Sequence, residues 1–428
     1  MNFTRAMMTT AALLAPLAVT TAARAAADPA LAKQVLLKSV AFKTVEGEGQ
    51  VPKLAAYYAS VLKDAGFKDA DIVITPMGET ATLAATLKGS DAQLKPIVMI
   101  GHMDVVAAER KDWTRDPFVP VEEHGYIFGR GSEDNKYDVA MMVTSLAQLK
   151  REGFAPRRTI ILLLSGDEET QMATTRALAE KYKGAELVLN GDGGGGVIGE
   201  DGKPAMYLLQ AGEKTYADFE IAITDPGGHS SAPTATNPIY RLAKVLDRLG
   251  AYQFPPMANE LTKASMLAGS RRIGGEAGAA MARYAANPKD AEAAAYLSSK
   301  PEFIGQVRTT CVATMLSGGH ALNALPQRAT VSVNCRIFPG VSIESVKAEL
   351  TKVIADDSAT ITTIDKPTGS DASPLRKDVT AAVTKAVQAR YPGLEITPNM
   401  SAGATDSLYF RALGVPSYGV SSLFMKSS

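Results

Sequence analysis

Three short polar clusters carry most of the side chains in this sequence that could do chemistry. They are Gly-His-Met-Asp at 101–104, Gly-Arg-Gly-Ser-Glu-Asp-Asn-Lys at 129–136 and Gly-Asp-Glu-Glu at 166–169, with Gly-Asp-Gly-Gly following at 191–194. Together they supply His102, Asp104, Asp134, Glu168, Glu169 and Asp192. One imidazole with several carboxylates suits hard-to-borderline divalent metals. A histidine and an aspartate two residues apart on a strand end point to the same face, so His102 can bind metal while Asp104 supports it. Asp134, in a glycine-rich turn, can bridge two metals. Of the adjacent Glu168 and Glu169, one can be a ligand and the other a base toward water, a combination that suits amide hydrolysis. Each motif alone is ordinary: a lone Gly-His-x-Asp is usually a turn, and a Glu-Glu pair is usually a solvated face.

The elements expected around the clusters make them one site. Residues 96–101, 158–165 and 186–190 are short, mostly apolar runs, predicted to be buried strands. Helical patterns lie at 30–66, 138–150 and 174–183. Alternating strands and helices predict an α/β sheet flanked by helices, and such folds bind ligands at the carboxyl ends of their strands. His102, Glu168 and Asp192 fall there. From about residue 213 the pattern changes to strand–helix–strand–strand–helix–strand, a compact α+β, ferredoxin-like unit inserted in the larger domain. The expected organisation is a leader at 1–25, a metal-binding domain over 26–212 and 367–428, and an inserted lid or dimerisation domain over 213–366.

The chain has 428 residues, 46% of them apolar, with 45 basic and 45 acidic side chains. This zero formal charge argues against a general electrostatic hold on nucleic acid or an anionic membrane. Residues 1–25 read as a secretory signal: Arg5, an apolar run over 11–23, then Ala23-Arg24-Ala25 as a cleavage site. No later run has the roughly 18 uninterrupted apolar residues of a membrane span. The expected location is therefore the periplasm or outside the cell. Two cysteines, Cys311 and Cys335, lie in strand-like runs at 307–316 and 329–338. In a hairpin centred near Asn323 they face each other, either as a disulfide or as two buried thiols.

Gly-His-Met-Asp-Val-Val, Gly-Arg-Gly-Ser-Glu-Asp-Asn-Lys, Ser-Gly-Asp-Glu-Glu, Gly-Asp-Gly-Gly and the later Gly-Gly-His-Ser-Ser-Ala-Pro resemble the M20 metallopeptidases, from about residue 30 onward. These include glutamate carboxypeptidases, succinyl-diaminopimelate desuccinylases and aminoacylases. The resemblance implies a cocatalytic pair of zinc ions: His102 and Asp192 on one, Asp134 bridging, Glu169 on the second, Glu168 as general base and Asp104 orienting His102. It also implies that His229 reaches a partner subunit's site and steadies the oxyanion, that Asn323 and Arg336 hold the substrate carboxylate, and that Gly403 lines the specificity pocket. A homodimer through the inserted domain is expected with it. The implied substrate is a dipeptide or short peptide with a free carboxylate. The alternatives are an N-acyl amino acid, or a catalytically weak relative.

One feature departs from the family pattern. The family takes the second zinc's last ligand from a histidine beyond Gly-Ala-Thr-Asp, and this sequence has only His102, His124, His229 and His320. His124 and His320 read as surface residues. The expectation is a truncated or unusual member whose second metal site is incomplete, because Asp134 and Glu169 alone are fewer ligands than zinc usually takes.

Overall fold

The computed structural model describes residues 28–426; the leader at 1–25 lies outside them. A ten-stranded mixed sheet forms the larger part. Its centre is four parallel strands in the order Ile160–Ser165, Ile97–His102, Leu187–Asn190 and Ser417–Gly419. Successive side chains of a strand point to opposite faces. Leu162 and Leu164 accordingly enter one core, shared with the helices Pro29–Val40, Val51–Asp64 and Lys136–Arg151. Ile161 and Leu163 enter the other, beneath Ala173–Tyr182 and Ser407–Ala412. Leu162, Leu163 and Leu164 have no exposed surface, and complete burial of one such side chain is worth about 1.5–3 kcal/mol. That two-faced burial explains the uninterrupted apolar runs and places the strand ends, with their acids, at one rim.

The helical stretch expected over 30–66 is two helices. Residues 41–50 form a loop between them, in which Gly47 and Gly49 take φ of 82° and 57°. Left-handed backbone of this kind cannot continue a helix and favours glycine. The loop braces the site: Thr44 donates through Oγ1 to the Met103 carbonyl (2.8 Å), and its own carbonyl accepts from Val105 N (3.1 Å).

The small sheet is antiparallel, in the order Thr310–Gly318, Arg328–Ile337, Thr215–Thr224 and Ala359–Ile364. Pro238–Ala251 and Ile343–Ile354 pack on it around Phe219, Leu242, Val333 and Leu350. Cys311 and Cys335 are direct cross-strand partners and form a disulfide, with Cα atoms 4.1 Å apart. Of the helices between 260 and 307, within the span expected for the inserted domain, Glu260–Ile273 packs on the large sheet and the others pack on that helix and on one another. Leu261 packs with Leu209, Ala211, Met400 and Tyr418. This packing places Pro301–Val307 beside the strand Ile396–Ser401, where Gln306 Nε2 donates to the Met400 carbonyl at 2.9 Å.

Candidate metal centre

Asp104 organises the site through backbone amides. Its Oδ1 accepts from Glu168 N at 3.1 Å and its Oδ2 from Glu169 N at 2.9 Å, so the carboxylate fixes the turn that presents both glutamates. Asp167 secures that turn from the other end by accepting from Ala173 N (2.8 Å) and Thr174 N (2.9 Å), an N-terminal cap on Ala173–Tyr182. His102 is buried, with Nδ1 3.1 Å from the Asp104 carbonyl and 3.5 Å from Asp104 Oδ1. Such a partner on one ring nitrogen leaves Nε2 to face a metal. Nε2 lies 2.9 Å from Asp134 Oδ1 and 3.9 Å from Asp192 Oδ2.

Asp192 is held by the turn after Leu187–Asn190. Its amide donates to Asn190 Oδ1 (2.8 Å), while Val420 N and Ser421 N donate to the carbonyls of Asn190 and Gly193 (2.8 Å each). Gly194 has φ 71°, and a Cβ there would stand 2.4 Å from the Gly419 carbonyl oxygen; the turn can close on its neighbour only with glycine.

Burial and mutual charge perturb the whole cluster. Burial opposes charge on His102, but hydrogen bonds to Asp104 and Asp134, with the fields of Glu168 and Asp192, hold its imidazole well above its ordinary range. The His102 hydrogen bond depresses Asp134. Burial pushes Glu168 well above the usual carboxylate range, and burial with the Asp134 charge raises Glu169. Burial lifts Asp192 to about 7 despite His102. Acids crowded out of water in this way favour protons or a cation.

Among the described residues two donor groups could hold a divalent ion: His102, Glu168 and Asp192, and His102, Asp134 and Glu169, with the ligand atoms of each within 4.8 Å of one another. An imidazole nitrogen with carboxylate oxygens is the ligand chemistry of zinc and its neighbours. Beside them opens a cavity of about 510 Å3 whose walls beyond the acids include Leu208, Gln210, Gln306, Asn399, Met400 and Thr405.

The structure thus brings together His102, Asp104, Asp134, Glu168, Glu169 and Asp192. It does not bring His229, Asn323 or Arg336 to that cavity. His229 is exposed on the two-residue strand Gly228–His229, with Nδ1 2.7 Å from Ser231 Oγ. Asn323 is exposed, and its carbonyl accepts from Ser230 N (3.0 Å). Arg336 stacks 4.6 Å from the Tyr216 ring centroid and reaches the Ala402 carbonyl at 3.5 Å, the edge of the loop that also holds Gly403. Ala402 and Ala404 line the cavity wall on either side of exposed Gly403.

Two acids escaped the sequence reading. Asp406 is fully buried behind the centre, accepting from Ser165 Oγ (2.9 Å) and Thr175 Oγ1, and burial raises it to about 6. It ends the same Gly-Ala-Thr-Asp motif that supplied Gly403, which was the available signal. Asp138, on the first turn of Lys136–Arg151, accepts from Ser421 Oγ (2.7 Å) and Ser422 N (2.9 Å) and so ties residues 421–422 to the site. No local pattern points to that contact.

The model of peptidase family M20/M25/M40 matches residues 98–427, a span containing all of these acids. The human N-fatty-acyl-amino acid synthase/hydrolase PM20D1 is 28% identical over 339 residues, covering 77% of this chain and 67% of the relative. Carboxypeptidase S of Saccharomyces cerevisiae is 29% identical over 294 residues, covering 64% and 51%. The chain therefore spans between about half and two thirds of these curated relatives. Among solved structures, the M20 family metallo-carboxypeptidase Sso-CP2 from Sulfolobus solfataricus shares the fold, with a TM-score of 0.65 at 19% identity over 91% of this chain and 90% of that one. By the family match and the strand-end acids within it, the chain belongs to peptidase family M20/M25/M40.

Proposed function

We propose that this chain is a zinc-dependent amide hydrolase acting on a dipeptide or short peptide with a free carboxylate. The carrying observation is the pair of donor groups that share His102, the first of which includes Glu168 on the turn fixed by Asp104, within reach of a water held there. His102 and Asp192 would hold one zinc, Glu169 the other, and Asp134 both. Zinc there would polarise the scissile carbonyl and make water a stronger acid. Glu168 takes a proton from the attacking water and returns it to the leaving amine. A buried carboxyl whose proton affinity is raised suits both halves of that task. Arg336 offers a bidentate cation to the substrate carboxylate.

A second reading, hydrolysis of an N-acyl amino acid, is favoured by the similarity to PM20D1. A homodimer is part of the proposal. The outer strand Thr310–Gly318 leaves Val312, Met315 and Leu316 57%, 72% and 66% exposed, an apolar edge suited to a second copy. Such pairing would also give exposed His229 a neighbouring site to serve, where it would steady the oxyanion. The basic-then-apolar composition of residues 1–25 supports export, and the role would be peptide scavenging outside the cytoplasm. No helix among the described residues is long and apolar enough to cross a membrane.

The test combines metal counting by mass spectrometry with turnover of dipeptides and N-acyl amino acids, with and without added zinc. Glu168→Gln should keep its metal and lose about 100- to 10,000-fold in kcat. Full turnover in that variant, or in the chelated protein, sinks the proposal.

A further inference from the structure

The cavity beside the acids is lined by carboxamides. Gln210 faces it from the strand Pro204–Glu213, and Asn399 is its register partner on the parallel strand Ile396–Ser401, so the two amides share a face. Gln306 also lines the cavity, from the end of Pro301–Val307 beside the strand Ile396–Ser401. The three amides are not equally engaged. Gln210 accepts from Gly194 N and donates to Glu213 Oε2, both at 3.3 Å. Gln306 Nε2 donates to the Met400 carbonyl at 2.9 Å, while its Oε1 is buried with no hydrogen-bond partner among the described residues. The Asn399 side chain has no hydrogen-bond partner among the described residues. Beyond the four acids, no charged side chain among the described residues lines the cavity.

Open amide groups on a cavity wall discriminate by what they lose. A long hydrocarbon would cover Asn399 and Gln306 while offering them nothing, and a buried polar group left unpaired costs more than a made hydrogen bond returns. A group with both a donor and an acceptor would pair with the Asn399 amide directly, and with Gln306 Oε1 once that side chain turns its covered oxygen toward the cavity. Resting on the hydrolase reading above, we infer that the cavity receives the uncharged amide-bearing side chain of a peptide residue in preference to a long-chain acyl group. Asn399 and Gln306 are the residues that select it.

The experiment separates binding from turnover by using the full chain carrying Glu168→Gln, loaded with zinc, in titration calorimetry. The probes are Gln-Ala, Ala-Gln, their leucine counterparts Leu-Ala and Ala-Leu, and N-dodecanoyl-alanine. At one of the two positions glutamine should bind about tenfold tighter than leucine, and tighter than the acyl compound. Adding Asn399→Leu or, separately, Gln306→Leu should erase that preference, with circular dichroism verifying the fold of each. The two variants are independent, so the loss of one to misfolding leaves the other as the test. Equal or weaker glutamine binding, no peptide binding, or tighter binding of N-dodecanoyl-alanine overturns the inference. Failure of the wild type to hydrolyse any of these compounds would instead count against the hydrolase reading alone.

Discussion

The residues singled out on the large sheet and those on the small one differ in how completely a single chain positions them. On the large sheet, His102, Asp104, Glu168 and Asp192 sit at the ends of parallel strands whose side chains are buried on both faces, and backbone amides fix the turns between them. On the small sheet, His229 and Asn323 are exposed, and Arg336 only touches the rim of the cavity through Ala402. A buried, hydrogen-bonded cluster has its geometry paid for by folding. Exposed residues are under no such constraint within one chain.

After the loss expected for Glu168→Gln, the next largest effect probes the small sheet. If His229 serves a neighbouring subunit's oxyanion, His229→Ala should lower kcat by about 100- to 1,000-fold while leaving the metal content of the large-sheet site unchanged. Mixing that variant with Glu168→Gln should then restore turnover that neither has alone, whereas a mixture as inactive as its components would end the idea of sharing between subunits. A smaller effect tests the preorganisation of the large sheet. Asp104→Ala removes the acceptor for two backbone amides and the support of His102, so zinc affinity should fall about 10- to 100-fold; an unchanged dissociation constant in competitive chelation would show that the turn holds itself.

The smallest effect is on stability. Asp406 is raised from its ordinary 3.8 to about 6 in the folded protein. The folded state therefore keeps this proton longer than the unfolded state does, and the stability it contributes is full below about pH 3.8 and lost as pH rises through 6. In metal-free protein, urea titrations should show wild type losing more stability between pH 4 and 6 than Asp406→Asn does. Parallel slopes would place the carboxyl in a less strained environment than its burial suggests.

Much of this was legible in the residues because the relevant signals are local. Apolar runs ending in Gly-His-Met-Asp or Gly-Asp-Glu-Glu announce buried strands with polar ends, and the strand–helix order of the small sheet survives the intervening helices. The facing of Cys311 and Cys335 followed from hairpin alternation. Illegible parts depend on partners distant in sequence. The strand Pro204–Glu213 carries buried Gln210 and Glu213, polar residues that argue against an inner strand until Arg411 and Thr405 are found paired with Glu213. The nearby strands of the same sheet, Ser417–Gly419 and Phe424–Lys426, are too short to stand out. The split of the 30–66 helix was readable in Gly47 and Gly49, but periodicity on both sides masked it.

By itself the sequence determined the chemistry available: one imidazole and a set of carboxylates at strand ends, in motifs that single out a hydrolase family. Residue types and short spacings suffice for that, because ligand preference and side-chain facing act over a few residues. Tertiary structure decided which groups share a space. Asp138 holding Ser421, Asp406 lodged behind the acids, and Gln306 brought from a distant helix to line the same cavity as Asn399 all join residues with no common local pattern. Burial is a property of the assembled layers, and it is burial that turns these ordinary side chains into perturbed acids.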